Sequence, residues 1–188
     1  VKVLATCLLL GASVCAIDCS GSGRSQGEYV SLGHYEQFDV QACCDALRAR
    51  RGAARVGRLA LWGRSMGAVS ALLCASRLDP LLAAVVADSP FCSLVTLCGD
   101  LLDRATSGAA GVLATPAIAV VAASVRHYAD FDIRACDPIS SMGLCRVPTL
   151  LVHGRADDFV QPKHSQALAA TCAGPCELVL DRSGTHNS

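Results

Sequence analysis

The sequence has few aromatic residues and no net charge. Phenylalanine, tryptophan and tyrosine make up 4% of the 188 residues, which leaves few rings for stacking on nucleic-acid bases. Sixteen basic and sixteen acidic residues balance, so no strong field draws the chain to nucleic acid or to an anionic membrane. We therefore expect no nucleic-acid partner, and the composition does not indicate membrane association.

Long hydrophobic runs are also missing. No run of about 18 or more uncharged apolar residues is typical of a membrane span. The segment 107–124 comes closest, but its glycines and Pro116 argue against it. Apolar residues make up 52% of the chain and charged residues 17%, which is typical of a globular protein with a real core. The length indicates one domain, over residues 1–188.

Cysteine is the residue in excess, with twelve in the chain. Most lie inside apolar runs, as Cys74 and Cys98 do, which is typical of buried thiols in a reducing compartment. Two pairs have a CxxxC spacing, but no histidine ligand lies near either pair, so they are a weak zinc signal. We predict structural thiols, no metal site, and an intracellular, cytoplasmic location.

Apolar segments of strand length alternate with segments of helical periodicity. The predicted strands are 13–18, 58–62, 82–88, 149–153 and 177–181, and the predicted helices are 1–11 (buried), 35–50, 65–77 and 161–172, with a turn over 52–57. Such alternation predicts an α/β fold with a mostly parallel, doubly wound sheet that helices cover on both faces.

Residues 92–145 interrupt the alternation, because they contain no clear strand and are far longer than an ordinary connection. Their pattern is helical, with a glycine-containing middle over 107–111. In a doubly wound sheet, such an insertion lies over the carboxyl ends of the strands, where ligands bind. We interpret it as a helical cap, and two packing helices without a gating role are an equally good interpretation.

The segment Gly63-Arg64-Ser65-Met66-Gly67 follows a predicted strand and begins a helix rich in alanine and leucine. A serine on such a sharp strand-to-helix turn projects its hydroxyl above the sheet, and the glycines let the two elements approach. The helix N-terminus favours negative charge, so the N–H of Met66 is a candidate oxyanion donor. A glycine-flanked tight turn is the alternative.

A serine needs a base to take its proton, and the chain has five histidines. His186 lies in a loop after the last predicted strand, where the base follows in chain order. His34 is in a polar loop, His127 is in the insertion, His153 ends a strand, and His164 begins a helix that looks exposed. We predict His186 as the base.

The base in turn needs a carboxylate to orient it. Asp157 and Asp158 directly follow the fourth predicted strand, and both cannot fill one role. Asp88, at the end of the third strand, is a competitor. From position alone we favour Asp157, and the other two stay open.

Taken in this order, the motifs resemble those of the α/β-hydrolase superfamily. Within it, the chain resembles the serine aminopeptidase-like and dienelactone-hydrolase-like branch, including a set of protist serine hydrolases. The segment 18–29 is similar to the family's Asp-x-x-Gly-x-Gly-x-Ser-x-Gly loop, and 88–91 to its Asp-Ser-Pro-Phe strand end. His153, Gly154, Asp157 and Val160 match its His-Gly-x-x-Asp-x-x-Val motif. The resemblance implies a triad of Ser65, Asp157 and His186.

The family also has a strand and a His-Gly turn ahead of the first helix, and these supply the second oxyanion donor. The sequence contains neither, so we expect a fragment whose N-terminal strands are missing and whose oxyanion hole is half complete. Losing one such donor costs on the order of a hundred-fold in rate.

The expected activity is acyl transfer to water on a small-molecule or acyl substrate, through an acyl-enzyme and without a metal or organic cofactor. Analogy favours esters or thioesters over peptides. The alternative is a non-catalytic hydrolase-fold protein that binds a ligand. A phosphate-binding interpretation of Gly21, Gly23 and Gly27 fails, because the acid precedes the glycines and no helix begins at the loop. A cysteine hydrolase would need cysteine at position 65.

Overall fold

The computed structural model describes residues 2–51, 56–78, 82–108, 111 and 114–186. The helices are α1 (Lys2–Leu9), α2 (Glu36–Arg51), α3 (Met66–Leu78), α4 (Leu94–Ala105), α5 (Ala114–Ala129), α6 (Pro138–Met142) and α7 (Lys163–Thr171). The strands are β1 (Leu59–Arg64), β2 (Leu82–Asp88), β3 (Thr149–Gly154) and β4 (Cys176–Asp181). Most of the predicted elements from residue 35 onward agree with these bounds to within one or two residues.

The four strands form one sheet in the order β1-β2-β3-β4, and every neighbouring pair is parallel. The strands are paired up to their carboxyl ends: Arg64 pairs with Asp88, Asp88 with Val152, and Gly154 with Asp181. Because parallel strands all run one way, their carboxyl ends meet at one edge of the sheet. The predicted parallel α/β fold is confirmed.

The main core lies between one face of this sheet and the helices α3, α6 and α7. Val85 and Leu151 from the sheet are fully buried there, against Leu72 and Leu168 of the helices. Burying each such side chain stabilises the fold by about 1.5–3 kcal/mol. Alternate residues of β1 and β4 point away from this core, so Trp62 is 48% exposed and Val179 is 43% exposed. Within the described residues, helix packing therefore covers one face.

Two predictions at the N-terminus are wrong. A helix forms there as α1, but Leu8, Leu9 and Leu10 are exposed, because α1 does not pack against the core of the described residues. The predicted strand over 13–18 is not a strand, because no neighbouring segment pairs with its backbone among the described residues. The predicted turn over 52–57 lies mostly outside the described residues.

The described part of the insertion 92–145 consists of helices joined by turns and irregular segments, and it contains no strand. It contains α4, α5, a 3-10 turn (Ile133–Ala135) and α6. A second apolar cluster joins it to the rest of the domain, with Leu94 and Leu97 of α4 against Phe91, Ile133 and Val160. Its role as a cap stays a prediction. The glycine-containing middle of the insertion, over 107–111, lies partly outside the described residues.

We find no described helix that is both long enough and apolar enough to cross a membrane.

Candidate active site

Ser65 sits between the last residue of β1 and the first residue of α3. Its φ is +49°, in the left-handed region that a non-glycine residue adopts only under constraint. Two backbone hydrogen bonds hold it there: its N–H donates to the Asp88 carbonyl at 2.8 Å, and its carbonyl accepts from the Val69 N–H at 3.0 Å. The first bond continues the sheet and the second begins the helix, so the turn between them is forced to be sharp.

Gly63 allows the helix to approach the strand this closely. A Cβ atom at position 63 would lie 2.0 Å from the Gly67 carbonyl oxygen, which no side chain tolerates. A Cβ at Gly67 itself would meet open space. The two glycines of the motif therefore have different roles, and Gly63 is the one that the elbow geometry requires.

Asp157 and His186 are paired at the same edge of the sheet. The His186 Nδ1 atom lies 2.8 Å from the Asp157 Oδ2 atom. The other carboxylate oxygen accepts the backbone N–H groups of Phe159 and Val160, at 3.0 and 2.9 Å. The side chain of Asp157 is fully buried. With Nδ1–H donating to the carboxylate, a neutral His186 ring carries its lone pair on Nε2 and can accept a proton there.

The other candidate acids are placed differently. Asp158 is exposed to solvent. The Asp88 carboxylate has its Oδ2 atom 3.6 Å from the Arg64 Nε atom, and its Oδ1 atom accepts a hydrogen bond from the Ser89 hydroxyl at 2.9 Å. Of the three candidates, Asp157 is the one that the structure brings to His186.

His153 lies behind the Asp157 carboxylate and is completely buried. Its Nδ1 atom is 2.6 Å from the Ser165 hydroxyl, and its Nε2 atom is 2.7 Å from the Val160 carbonyl and 3.4 Å from Asp157 Oδ2. Because both ring nitrogens have partners, His153 connects the loop that carries Asp157 to the start of α7. The sequence placed His153 at a strand end but did not reveal this role.

His164 is buried rather than exposed as its sequence context suggested. It is 1% exposed, with Nδ1 3.3 Å from the Cys92 backbone nitrogen and Nε2 3.0 Å from Asp100 Oδ2. Burial lowers the pKa of His164, and the nearby Asp100 carboxylate partly opposes this shift. The expectation of exposure is wrong because the first turn of α7, which carries His164, packs against α4. Of the other two histidines, His34 stacks on Phe131 and His127 is exposed.

Arg64 is a site residue that the sequence did not indicate. Its Nη2 atom donates to the His186 carbonyl oxygen, and its Nε atom lies near Asp88. Arg64 is the variable position between Gly63 and Ser65, and no motif marks it. This contact brings the loop after β4 against the residue next to Ser65.

The cysteines are all free thiols. Burial raises the pKa of Cys74 and of Cys136 to about 12 in each case, as is typical of inert core thiols. Cys15 is exposed, and its Sγ atom lies 3.7 Å from that of Cys43 rather than pairing with Cys19. In the part of the chain that the structure describes, no group of three or more His, Cys, Asp or Glu residues could hold a metal ion.

The glycine loop after residue 18 folds around a carboxylate of the chain itself. The Asp18 Oδ2 atom accepts the Arg24 N–H at 3.0 Å, and a Cβ at Gly23 would lie 2.3 Å from the Asp18 carboxyl carbon. The loop therefore presents negative charge where a phosphate-binding loop would hold a phosphate.

Together, the parallel sheet, the strained serine at a strand end and the buried Asp–His pair define an α/β-hydrolase. A family model described as the prolyl oligopeptidase family matches residues 3–182. The chain belongs to that family. The superfamily resemblance is thus confirmed, and the serine aminopeptidase-like and dienelactone-hydrolase-like branch stays a resemblance.

Similar proteins include an uncharacterized protein, YqkD of Bacillus subtilis, at 24% identity over 94% of this chain and 56% of that protein. Human alpha/beta hydrolase domain-containing protein 17B is 26% identical over 95% of this chain and 51% of its own length. Among solved structures, the Pyrococcus furiosus esterase Pf2001 superposes with a TM-score of 0.71 at 21% identity, covering 98% of this chain and 66% of the esterase. The chain spans about half the length of these curated relatives.

Proposed function

We propose that this protein is a serine hydrolase that cleaves an ester or thioester bond through an acyl-enzyme on Ser65. The observation that carries the proposal is the 2.8 Å contact between His186 and the buried Asp157, at the same sheet edge as a serine held at positive φ. Membership of the prolyl oligopeptidase family supports a hydrolase in general. The roles of the individual residues are our assignment.

In the proposed reaction, the Ser65 hydroxyl attacks the substrate carbonyl while His186 Nε2 takes its proton. Asp157 holds the imidazole tautomer and stabilises its charged form. The Met66 N–H is the first of the helix and has no partner within it, so it can donate to the oxyanion. His186 then returns the proton to the leaving group. In the second half of the reaction, His186 takes a proton from the water that attacks the acyl-enzyme, and it gives that proton to the Ser65 oxygen as the acid is released.

For the substrate, we favour an ester or thioester with an apolar acyl group, and an amide is the weaker alternative. The esterase named above supports an ester by analogy of fold. The insertion 92–145 is rich in apolar side chains, and Val120 and Val121 on α5 are exposed. If this segment covers the strand ends as a cap, those side chains can accept an acyl chain.

The decisive experiment replaces the proposed nucleophile. Ser65→Ala should lower kcat for a p-nitrophenyl ester by about ten-thousand-fold or more, and it should abolish labelling by a fluorophosphonate probe. Ser183→Ala is the matched control, because Ser183 is exposed in the loop that carries His186. A Ser65→Ala protein that keeps its hydrolysis rate would disprove the proposal, and an unlabelled wild-type protein would favour a non-catalytic binding protein.

A further inference from the structure

Arg64 connects three parts of the proposed site with one side chain. It is the last residue of β1, directly before Ser65. Its Nη2 atom donates to the His186 backbone carbonyl, and its Nε atom lies 3.6 Å from Asp88 Oδ2 at the end of β2. The guanidinium therefore joins the ends of two strands to the loop after β4.

Other contacts of that loop lie on its buried glycine and on the histidine ring. Gly184 is buried, and its carbonyl accepts the Ala156 N–H at 3.0 Å. The His186 ring is held at Nδ1 by Asp157 and faces the Phe159 ring, with centroids 5.0 Å apart. These contacts hold the ring, whereas Arg64 holds the backbone from which the ring projects.

A general base must be placed accurately, because a shift of about 1 Å can lower a rate by about a hundred-fold. Fixing both the Nδ1 end of the ring and the backbone carbonyl leaves the direction of Nε2 little freedom. The contact of Arg64 with the backbone carbonyl is thus a further restraint on where Nε2 points, beside the contacts of the ring with Asp157 and Phe159.

The chemistry of arginine suits this position. A planar guanidinium offers several donors in fixed directions, so it can bind a carbonyl and a carboxylate at once, which a lysine ammonium does less well. Asp88 supplies the counter-charge, and the Ser89 hydroxyl holds Asp88 in place at 2.9 Å. The ion pair is partly exposed, with 43% of the Arg64 side chain and 35% of the Asp88 side chain accessible to solvent. Such a pair adds little to the free energy of folding, so its main effect is to orient the guanidinium.

We propose that Arg64 is a positioning residue of the hydrolase, which holds the His186 loop on the elbow while Asp88 orients the guanidinium. This inference rests on the proposed function, because it assigns Arg64 a role in placing the base. Asp88, a competitor for the triad acid on sequence grounds, thereby has a different role at the same edge.

The test compares Arg64→Met and Arg64→Lys with the wild type on a p-nitrophenyl ester. Arg64→Met should lower kcat by about ten-fold or more and change KM by less than about two-fold, because the proposed role of this side chain is to place the base and not to bind the substrate. The rate of labelling by a fluorophosphonate probe should fall in parallel. Arg64→Lys should recover part of the loss. The low-field Nδ1 proton of His186, observed by NMR, should broaden in Arg64→Met as the ring gains freedom.

Arg155→Ala is the matched control, because Arg155 is exposed at the same edge of the sheet, directly after β3. It should keep the wild-type kcat. Asp88→Asn should lower kcat by a smaller factor, and the double variant with Arg64→Met should be no slower than Arg64→Met alone, because the two residues act through one contact. Additive losses would contradict the shared role.

The outcomes separate this inference from the function on which it rests. If Arg64→Met has the kcat of Arg155→Ala while Ser65→Ala is inactive, the protein is a serine hydrolase and the role of Arg64 is wrong. If Ser65→Ala is active, the proposed function itself fails. If Arg64→Met does not fold, Asp88→Asn decides, because an Asp88→Asn protein with wild-type kcat and a sharp Nδ1 proton would overturn the inference.

Discussion

At the scale of single residues, the elbow depends on one glycine more than on the other. The Gly63 Cα lies so close to the first turn of α3 that any side chain would collide with the Gly67 carbonyl. Ser65 is held at positive φ by hydrogen bonds to β2 and α3, so the turn cannot relax to admit the extra atoms. The strain at Ser65 is thus maintained by the packing of its neighbours.

Gly63→Ala should therefore destabilise the protein by about 3 kcal/mol, as expected for an overpacked site. Gly67→Ala is the control: its Cβ would meet open space, and an alanine in a helix is favoured over glycine by up to about 1 kcal/mol. Urea unfolding followed by circular dichroism measures both. Equal destabilisation by the two variants would contradict the different roles assigned to these glycines.

Part of the site could be predicted at this scale, and part could not. Ser65 and the pairing of Asp157 with His186 followed from motifs whose spacing reflects strand ends. Arg64 could not be found in this way, because its partners are 24 and 122 residues away and no local pattern marks them. Its positioning role, like the catalytic role of the triad, stays a proposal.

At the scale of elements, α7 meets α4 through a small buried polar group. His164, in the first turn of α7, contacts Asp100 of α4 and the backbone of Cys92, while Lys163 Nζ lies 2.6 Å from the other Asp100 oxygen. The periodicity of α7 predicts the helix correctly. It does not show that the polar end is covered, because the covering helix belongs to the insertion.

The buried imidazole should make stability depend on pH. Because burial lowers the pKa of His164 below its ordinary 6.5, the unfolded chain binds the proton more readily than the folded one. Stability is therefore full above pH 6.5 and falls as the pH decreases from there toward the lowered folded value. One such proton changes the free energy of unfolding by at most about 1.4 kcal/mol per pH unit.

His164→Gln should reduce the slope of unfolding free energy against pH in the acidic range below 6.5. The exposed His127 of α5 provides the control, and His127→Gln should leave the slope unchanged. His34 contributes in the same direction, because burial lowers its pKa too, so some slope remains. Denaturant unfolding at several pH values measures the slope, and an unaltered slope in His164→Gln would contradict the assignment.

At the scale of the whole molecule, the parallel sheet explains why the site exists at one edge. Ser65, Asp157 and His186 each follow the carboxyl end of a different strand, and the register brings those ends together. The core that holds the strands in place lies on the face toward α3, α6 and α7. The same sheet therefore has the core on one face and the site at its carboxyl edge.

Substitutions on the two faces of the sheet should differ accordingly. Leu151→Ala, at a fully buried position in β3, should lower the free energy of unfolding by about 2–5 kcal/mol. Val179→Ala in β4 should cost less than about 1 kcal/mol, because that side chain is already 43% exposed. Chemical denaturation gives both values. A cost at Val179 as large as that at Leu151 would mean that the second face is also a core.

The sequence by itself determined the α/β alternation, the parallel sheet and the candidate residues at the strand ends, because these depend on local periodicity and on short motifs. The tertiary structure decided which residues meet. It joined Asp157 to His186, buried His164, left α1 exposed and connected Arg64 to the base loop. Such contacts arise when distant segments pack, and burial depends on which neighbour covers a residue, which no local pattern contains.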